Sequence, residues 1–140
     1  MPADFFIDTH LGVVFSKATE VLTMDDVLDH MNRLERHPDF RPELNQLIDF
    51  RQTRNVVLSH EEIRRLASRK IFGPRSHRAF VVPGDFEYGL ARMFATYREM
   101  QGEPGISIFR DIEKALAWLA ISAEPDPGLF PRLTPSAGLV

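Results

Sequence analysis

Three groups of residues have the types and spacing to do chemistry. Asp49 and Arg51 lie at the end of Leu47-Ile48-Asp49-Phe50, a run that reads as a buried strand. An acid and a base at the carboxyl end of a parallel strand stand where open α/β sheets bind ligands. The same Asp can also serve by accepting backbone N–H groups from the segment that follows it. Ser59 opens a predicted helix, with Glu62 three residues on. A phosphate on Ser59 would meet the positive end of that helix, with Arg51, Arg54 and Arg64 near in sequence. A plain N-cap accounts for the same hydroxyl. Tyr88, Gly89 and Arg92 fall just inside a further helix start. Gly inside a helix costs about 1 kcal/mol relative to Ala, so its presence wants a reason. Close packing is one. Room for a ligand or partner, beside a cation and a polar-tipped ring, is the other.

Other chemistries find no support. The chain has no cysteine, which removes disulfides, thiolate metal sites and a thiol nucleophile. His10, His30, His37, His60 and His77 do not form the helical spacing of a zinc hydrolase, so no metal site is expected. Ser59, His60 and Asp49 make a hydrolytic trio in name only. Neighbours on a helix point their side chains apart, and there is no Gly-x-Ser-x-Gly elbow. A Gly-rich phosphate loop is also missing. No catalytic residue and no cofactor are assigned, and the chain reads as a binding protein rather than an enzyme.

The 140 residues have the size of one domain and the balance of a soluble globular protein, 44% hydrophobic and 26% charged. The N-terminus lacks the pattern of a signal peptide, and no apolar run is long enough to span a membrane, so a cytoplasmic location is expected. Net charge is −3, but it is unevenly spread. Residues 1–50 balance to −6, residues 51–78 to +6 and residues 79–140 to −3. The middle block is the one region friendly to anions. It holds Phe72 as its lone aromatic, so nucleic-acid binding is not expected. From residue 123 the chain carries Pro125, Pro127, Pro131 and Pro135. Residues 1–122 therefore read as one α/β domain and 123–140 as a proline-rich tail. Leu129, Phe130, Leu133, Leu139 and Val140 are available to anchor that tail on the body or on a second subunit. The eleven phenylalanines and a short first strand near a sheet edge also favour a homodimer.

These residues must be held by a scaffold whose elements the sequence marks. Phe5–Asp8 and Val13–Thr19 read as a hairpin around Gly12. Thr23 and Asp26 form a capping box ahead of Met24, Val27, Leu28, Met31 and Leu34, the apolar face of a helix that Pro38 ends. Leu44–Phe50 is a strand. Ser59 starts a helix with Ile63, Leu66, Ala67 and Ile71 inward, ended by Gly73-Pro74. Ala79–Val82 is a strand. Asp85 is expected to cap a longer helix with Phe86, Leu90, Met93, Phe94 and Tyr97 inward, closed by Gly102. Ile106–Phe109 is the last strand, and Asp111 caps a final helix with Ile112, Ala115, Leu116 and Leu119 inward. The order β-β-α-β-α-β-α-β-α implies an α/β fold: a mixed, mostly parallel sheet of about five strands with an N-terminal hairpin and four helices.

That pattern resembles STAS domains, the fold of sulfate-transporter tails and SpoIIAA-like anti-sigma-factor antagonists. It is similar in particular to small bacterial proteins of this fold described as STAS/SEC14-like. The resemblance is carried by His37-Pro38-Asp39-Phe40-Arg41-Pro42 before Leu47–Arg51, by Tyr88-Gly89-Leu90-Ala91-Arg92-Met93-Phe94, and by Phe109-Arg110-Asp111 running into Ala117-Trp118-Leu119. It implies a regulatory module that meets a protein partner through Asp49, Arg51, Ser59, Tyr88 and Arg92. The antagonist branch places a phosphorylated Ser or Thr at a helix start within Asp-Ser-Ser/Thr-Gly. Here Asp49 matches the strand-end Asp and Ser59 the hydroxyl, while Val57, Leu58 and His60 depart from that motif. The SEC14-like comparison implies instead a carrier or sensor of a small anionic or lipid-like ligand.

Overall fold

A computed structural model describes residues 2–130 of the chain. Strands β1 (Ala3–Asp8) and β2 (Val13–Thr23) form the antiparallel hairpin, and Gly12 in its turn has φ 71°. Strands β3 (Asn45–Val57), β4 (Arg78–Val81) and β5 (Ile106–Phe109) then add in parallel, giving the order β1-β2-β3-β4-β5. Helices α1 (Met24–Arg36), α2 (His60–Ala67) and α3 (Asp85–Met100) are the crossovers, and α4 (Ile112–Trp118) follows the last strand. Strands laid down in one direction by crossovers of one hand put every crossover helix on the same side. The main core accordingly joins Met31 and Leu34 of α1, Ile63 and Leu66 of α2, and Leu90 and Phe94 of α3 over one face of the sheet. On the other face, α4 packs Ile112, Ala115 and Leu116 against Val13, Phe15, Leu47, Ala79 and Val81.

Four details depart from the sequence reading. β3 does not end at Phe50 but runs to Val57, paired with β2 through Thr23 as a two-stranded ribbon that outlasts the short β4. Its residues 51–55 look like a loop because a ribbon projecting past the sheet is solvated. The ribbon carries two register shifts, each with an extra residue in β3, opposite Lys17–Thr19 and Glu20–Val21 of β2, and Glu20 has φ 57°. α2 stops at Ala67, so Ile71 is buried from a loop rather than from a helix; that loop is pinned by Gly73 N–H on the Pro42 carbonyl at 2.9 Å. The N-cap of α3 is Gly84, without a side-chain cap, rather than Asp85. Phe86 is exposed at 62%. Leu90, Phe94 and Arg98 are the buried residues of that helix. A stripe with four-residue steps drifts, so Phe86 lies about 120° round from Arg98, and both cannot face inward.

The capping boxes at Thr23 with Asp26 and at Ser59 with Glu62 are both closed. Beyond α4, residues 121–130 return along the α4 face. Glu124 meets Arg51, and Phe130 stands edge-on to Phe6 with ring centroids 4.9 Å apart. Leu129 is exposed. Leu133, Leu139 and Val140 lie outside the described residues.

α4 ends in a Schellman turn. Ile121 N–H donates to the Leu116 carbonyl at 2.9 Å and Ala120 N–H to the Ala117 carbonyl at 3.0 Å, which forces Ala120 to φ 60°. Glycine holds that conformation without a Cβ penalty. Ala120→Gly should therefore raise stability by up to about 1 kcal/mol in urea unfolding, despite the added freedom of the unfolded chain. A loss of stability would show that the turn is held some other way.

Candidate functional site

The structure divides the five residues singled out from sequence. Along β3, Leu47 faces α4, so Asp49 and Arg51 also sit on the α4 side. Asp49 is buried and accepts Arg51 N–H, Nε and Nη2, each at 2.9 Å, and Arg51 Nη2 also reaches Glu124 at 2.7 Å. The hydrogen bond to Asp49 is the main reason the Arg51 pKa is raised. These two residues thus spend their charges on each other and on the returning chain. Ser59, Tyr88 and Arg92 belong to the opposite side. Ser59 Oγ accepts Glu62 N–H at 3.1 Å as an N-cap, with its side chain in solvent. Tyr88 lies under the Arg110 guanidinium, 4.2 Å from its ring centroid. Arg92 is exposed. A Cβ on Gly89 would meet nothing within 4 Å, so close packing is not what that glycine serves.

An opening lies between the sheet and the crossover helices. It is a cavity of about 120 Å³ walled by side chains such as Leu22, Ile48, Val56, Leu66, Phe80 and Leu90, with Ala91 at its side. Ile48 is only half-buried although it sits mid-sheet, because the cavity opens over it. The lining residues Val27, Phe50, Leu58 and Glu87, near the carboxyl ends of the strands, are also half-buried. Those near the amino ends, Leu34, Gln46, Phe72, Arg78 and Phe94, are closed off. The cavity is therefore a blind pocket, with its mouth toward the carboxyl ends and its floor toward the amino ends. Arg69 crosses from the loop after α2 to α1, bonding Asn32 Oδ1 at 2.7 Å and Glu35.

The floor is polar, and its hydrogen bonds have a direction. Arg78 has only donors, so its Nε bonds the Gln46 carbonyl oxygen at 2.9 Å, and the Gln46 amide must then face away. Gln46 Nε2 donates to Ser16 Oγ at 3.0 Å. Ser16 Oγ is in turn 3.0 Å from His30 Nε2, a hydrogen bond whose donor depends on the imidazole tautomer. Burial, then Arg33 and Arg78, lower the His30 pKa to about 4.

Behind Arg78 the chain keeps two guanidiniums and one carboxylate out of water. Arg78, Arg98 and Glu103 are 7%, 2% and 1% exposed. Arg78 Nη1 is 3.1 Å from Glu103 Oε2, and Arg98 Nε is 2.9 Å from Oε1. Glu103 arrives there because α3 ends in its own Schellman turn. Gly102 takes φ 99°, and Glu103 N–H donates to the Arg98 carbonyl at 3.0 Å. Arg98 also bonds the last carbonyl of α2, at Ala67, at 2.9 Å. The Arg78 guanidinium lies 4.3 Å from the Phe72 centroid and within 6 Å of Phe80 and Phe94. Burial pulls the Arg78 pKa down and Glu103 pulls it back up; a guanidinium stays charged through such opposition.

Sequence reasoning missed this network, although part of it was marked. Arg98 falls two four-residue steps after Leu90, on the helix face that must be apolar. His30 lies between Val27 and Leu34 on the inner face of α1. A polar residue at a core position is the signal.

Two expectations follow. The unfolded chain protonates His30 near 6.5 and the folded chain near 4, so between those values the unfolded state holds more protons and stability falls as pH falls. About 2 kcal/mol should be lost between pH 7 and pH 5, and His30→Gln should largely remove that slope in urea unfolding. Equal slopes would exclude His30 as the cause. Glu103→Gln leaves two buried guanidiniums without a counter-charge and should cost about 3–5 kcal/mol; a cost below about 1 kcal/mol would mean the charges are solvated.

No family model and no curated protein matches the chain. Among solved structures it is similar to an uncharacterized protein from the DUF3478 family, with a SpoIIAA-like fold, from Shewanella loihica PV-4. The two are 21% identical, the match covers 84% of this chain and 93% of that one, and the TM-score is 0.55. Among the described residues no helix is long and apolar enough to cross a membrane. Among the described residues the five-stranded sheet, its single antiparallel pair and its four α-helices agree with that likeness, and the chain has a SpoIIAA-like α/β fold.

Proposed function

We propose that this chain is a non-enzymatic binding module that takes a small apolar or lipid-like molecule into the pocket between its sheet and helices α1–α3. The pocket itself carries this reading. Well-packed cores leave few voids larger than a water molecule. A dry apolar cavity of roughly 150 Å³ suffices for benzene, and this one is close to that, at about 120 Å³. Its walls are aliphatic and aromatic, so water gains little by entering, whereas an apolar guest regains dispersion contacts the walls lack. The reading of a protein-docking face drew on Asp49, Arg51, Ser59, Tyr88 and Arg92 together. Two of these stand on the α4 side and three on the other, which favours the ligand reading over a docking face made of all five.

The test uses 1-hexanol as a neutral probe. At about ten times its dissociation constant it should add roughly 1.4 kcal/mol and raise the melting temperature by roughly 5 °C. Ala91→Phe, which fills the pocket from α3, should abolish the shift. No shift from hexanol or benzene on the unaltered chain would sink the reading.

A further inference from the structure

We propose that the pocket selects an anionic amphiphile, a small carboxylate whose head meets Arg78 on the floor while its apolar body fills the walls. This rests on the pocket being a ligand site and adds the chemical class of the ligand.

The argument is one of charge. Among the described residues, five charged side chains are buried. Asp4 has Arg33 at 3.2 Å and Asp49 has Arg51 at 2.9 Å, so each buried aspartate has its own cation at the surface. The other three are Arg78, Arg98 and Glu103, two cations on one anion. Arg98 has Glu103 Oε1 on one side and, on the other, the carboxyl-terminal carbonyl of α2, the negative end of a helix. Arg78 shares the same carboxylate, with Nη1 3.1 Å from Oε2 and 3.3 Å from Oε1, and beyond it has only the neutral oxygen of Gln46 and three ring faces. Its Nη2 has no hydrogen-bond acceptor among the described residues. Arg78 is also a wall of the pocket. His30, the other titratable group on the floor, stays neutral above about pH 4 and supplies no compensating charge.

A buried cation short of an anion is costly, and three aromatic faces offset the deficit only in part. A carboxylate supplied from outside completes the count: two guanidiniums, two carboxylates. A guanidinium also suits a carboxylate by geometry, since its planar donors match the two oxygens. Arg69, which also lines the pocket, is already held by Asn32 and Glu35, so the floor is the stronger anion site.

The experiment compares hexanoate with hexanamide, which has the same chain and a neutral head, by calorimetry at pH 7 on the full chain. Hexanoate should bind at least about tenfold more tightly, the gain expected of a charge-assisted hydrogen bond. Arg78→Met leaves Glu103 and Arg98 as a balanced pair, and should erase that preference while hexanol still binds. Hexanamide or hexanol binding as tightly as hexanoate would overturn the proposal and leave the apolar pocket standing. A preference for hexanoate that survives Arg78→Met would also overturn it, by placing the head elsewhere. If hexanoate, hexanamide and hexanol all fail to bind, the pocket reading falls as well. The comparison on the unaltered chain decides the first question even if the variant does not fold.

Discussion

One carboxylate, Glu103, holds two guanidiniums in the interior, and most of the crossover face is arranged around that fact. Arg98 comes from α3, Arg78 from β4, and Glu103 from the turn that ends α3. Through Ala67 the cluster fixes the end of α2, and through Gln46, Ser16 and His30 it reaches β3, β2 and α1. Buried ion pairs are weak sources of stability, because desolvation consumes much of the attraction. What this one adds is direction. An arginine can only donate, so the Gln46 oxygen must face Arg78 and its amide Ser16, and a shift in strand register would break both bonds. Gln46, Arg78 and Ile106 are register partners across three strands. The polar row therefore also fixes the alignment in which β4 and β5 add to the sheet.

The same row explains why the pocket stops where it does. Toward the amino ends of the strands, the network, the loop bearing Ile71 and Phe72, and the end of α1 fill the space between layers. Toward the carboxyl ends, β2 and β3 run on as a ribbon past the last pairing of β3 with β4, Asp49 with Val81. β3 continues from Phe50 to Val57, roughly 25 Å of extended chain. The starts of α1 and α2 are carried along with it, while α3 begins beside the end of β4. The layers separate there, and side chains of ordinary length, Leu22, Val27, Val56 and Leu58, do not close the gap.

The elements were legible where local rules decide them. Both capping boxes, the strand Ile106–Phe109 and the hairpin turn at Gly12 follow from neighbouring residues alone. Reading failed where a distant partner decides. Residues 51–57 are a strand because β2 lies alongside, and nothing in their own polar composition requires it. Ile71 sits at helical spacing from Ala67 yet is buried by a loop clamped to Pro42. The site was less legible than the fold for the same reason. Its residues come from β2, α1, β3, α2, β4 and α3, and only the fold brings them together. What sequence did offer was misfit: Arg98 and His30 on apolar faces, where a charge or an imidazole needs a partner to be tolerated.

The strand-end crevice expected at Asp49 depends on a condition this topology does not meet. In open α/β sheets such a crevice forms where strand order reverses, so that crossovers on either side leave toward opposite faces. Here the order is β1-β2-β3-β4-β5 without reversal, and all three crossovers lie on one face. No switch point exists to part the loops beyond Asp49. That carboxylate is free to bind Arg51, and the chain after α4 folds across the pair through Glu124. Open space arises instead between layers, on the face that carries three helices. The anion-friendly charge of the middle of the chain follows the same displacement: Arg51 is neutralised at the strand ends, and Arg78, the last residue of that block, carries its charge inward to the floor of the pocket.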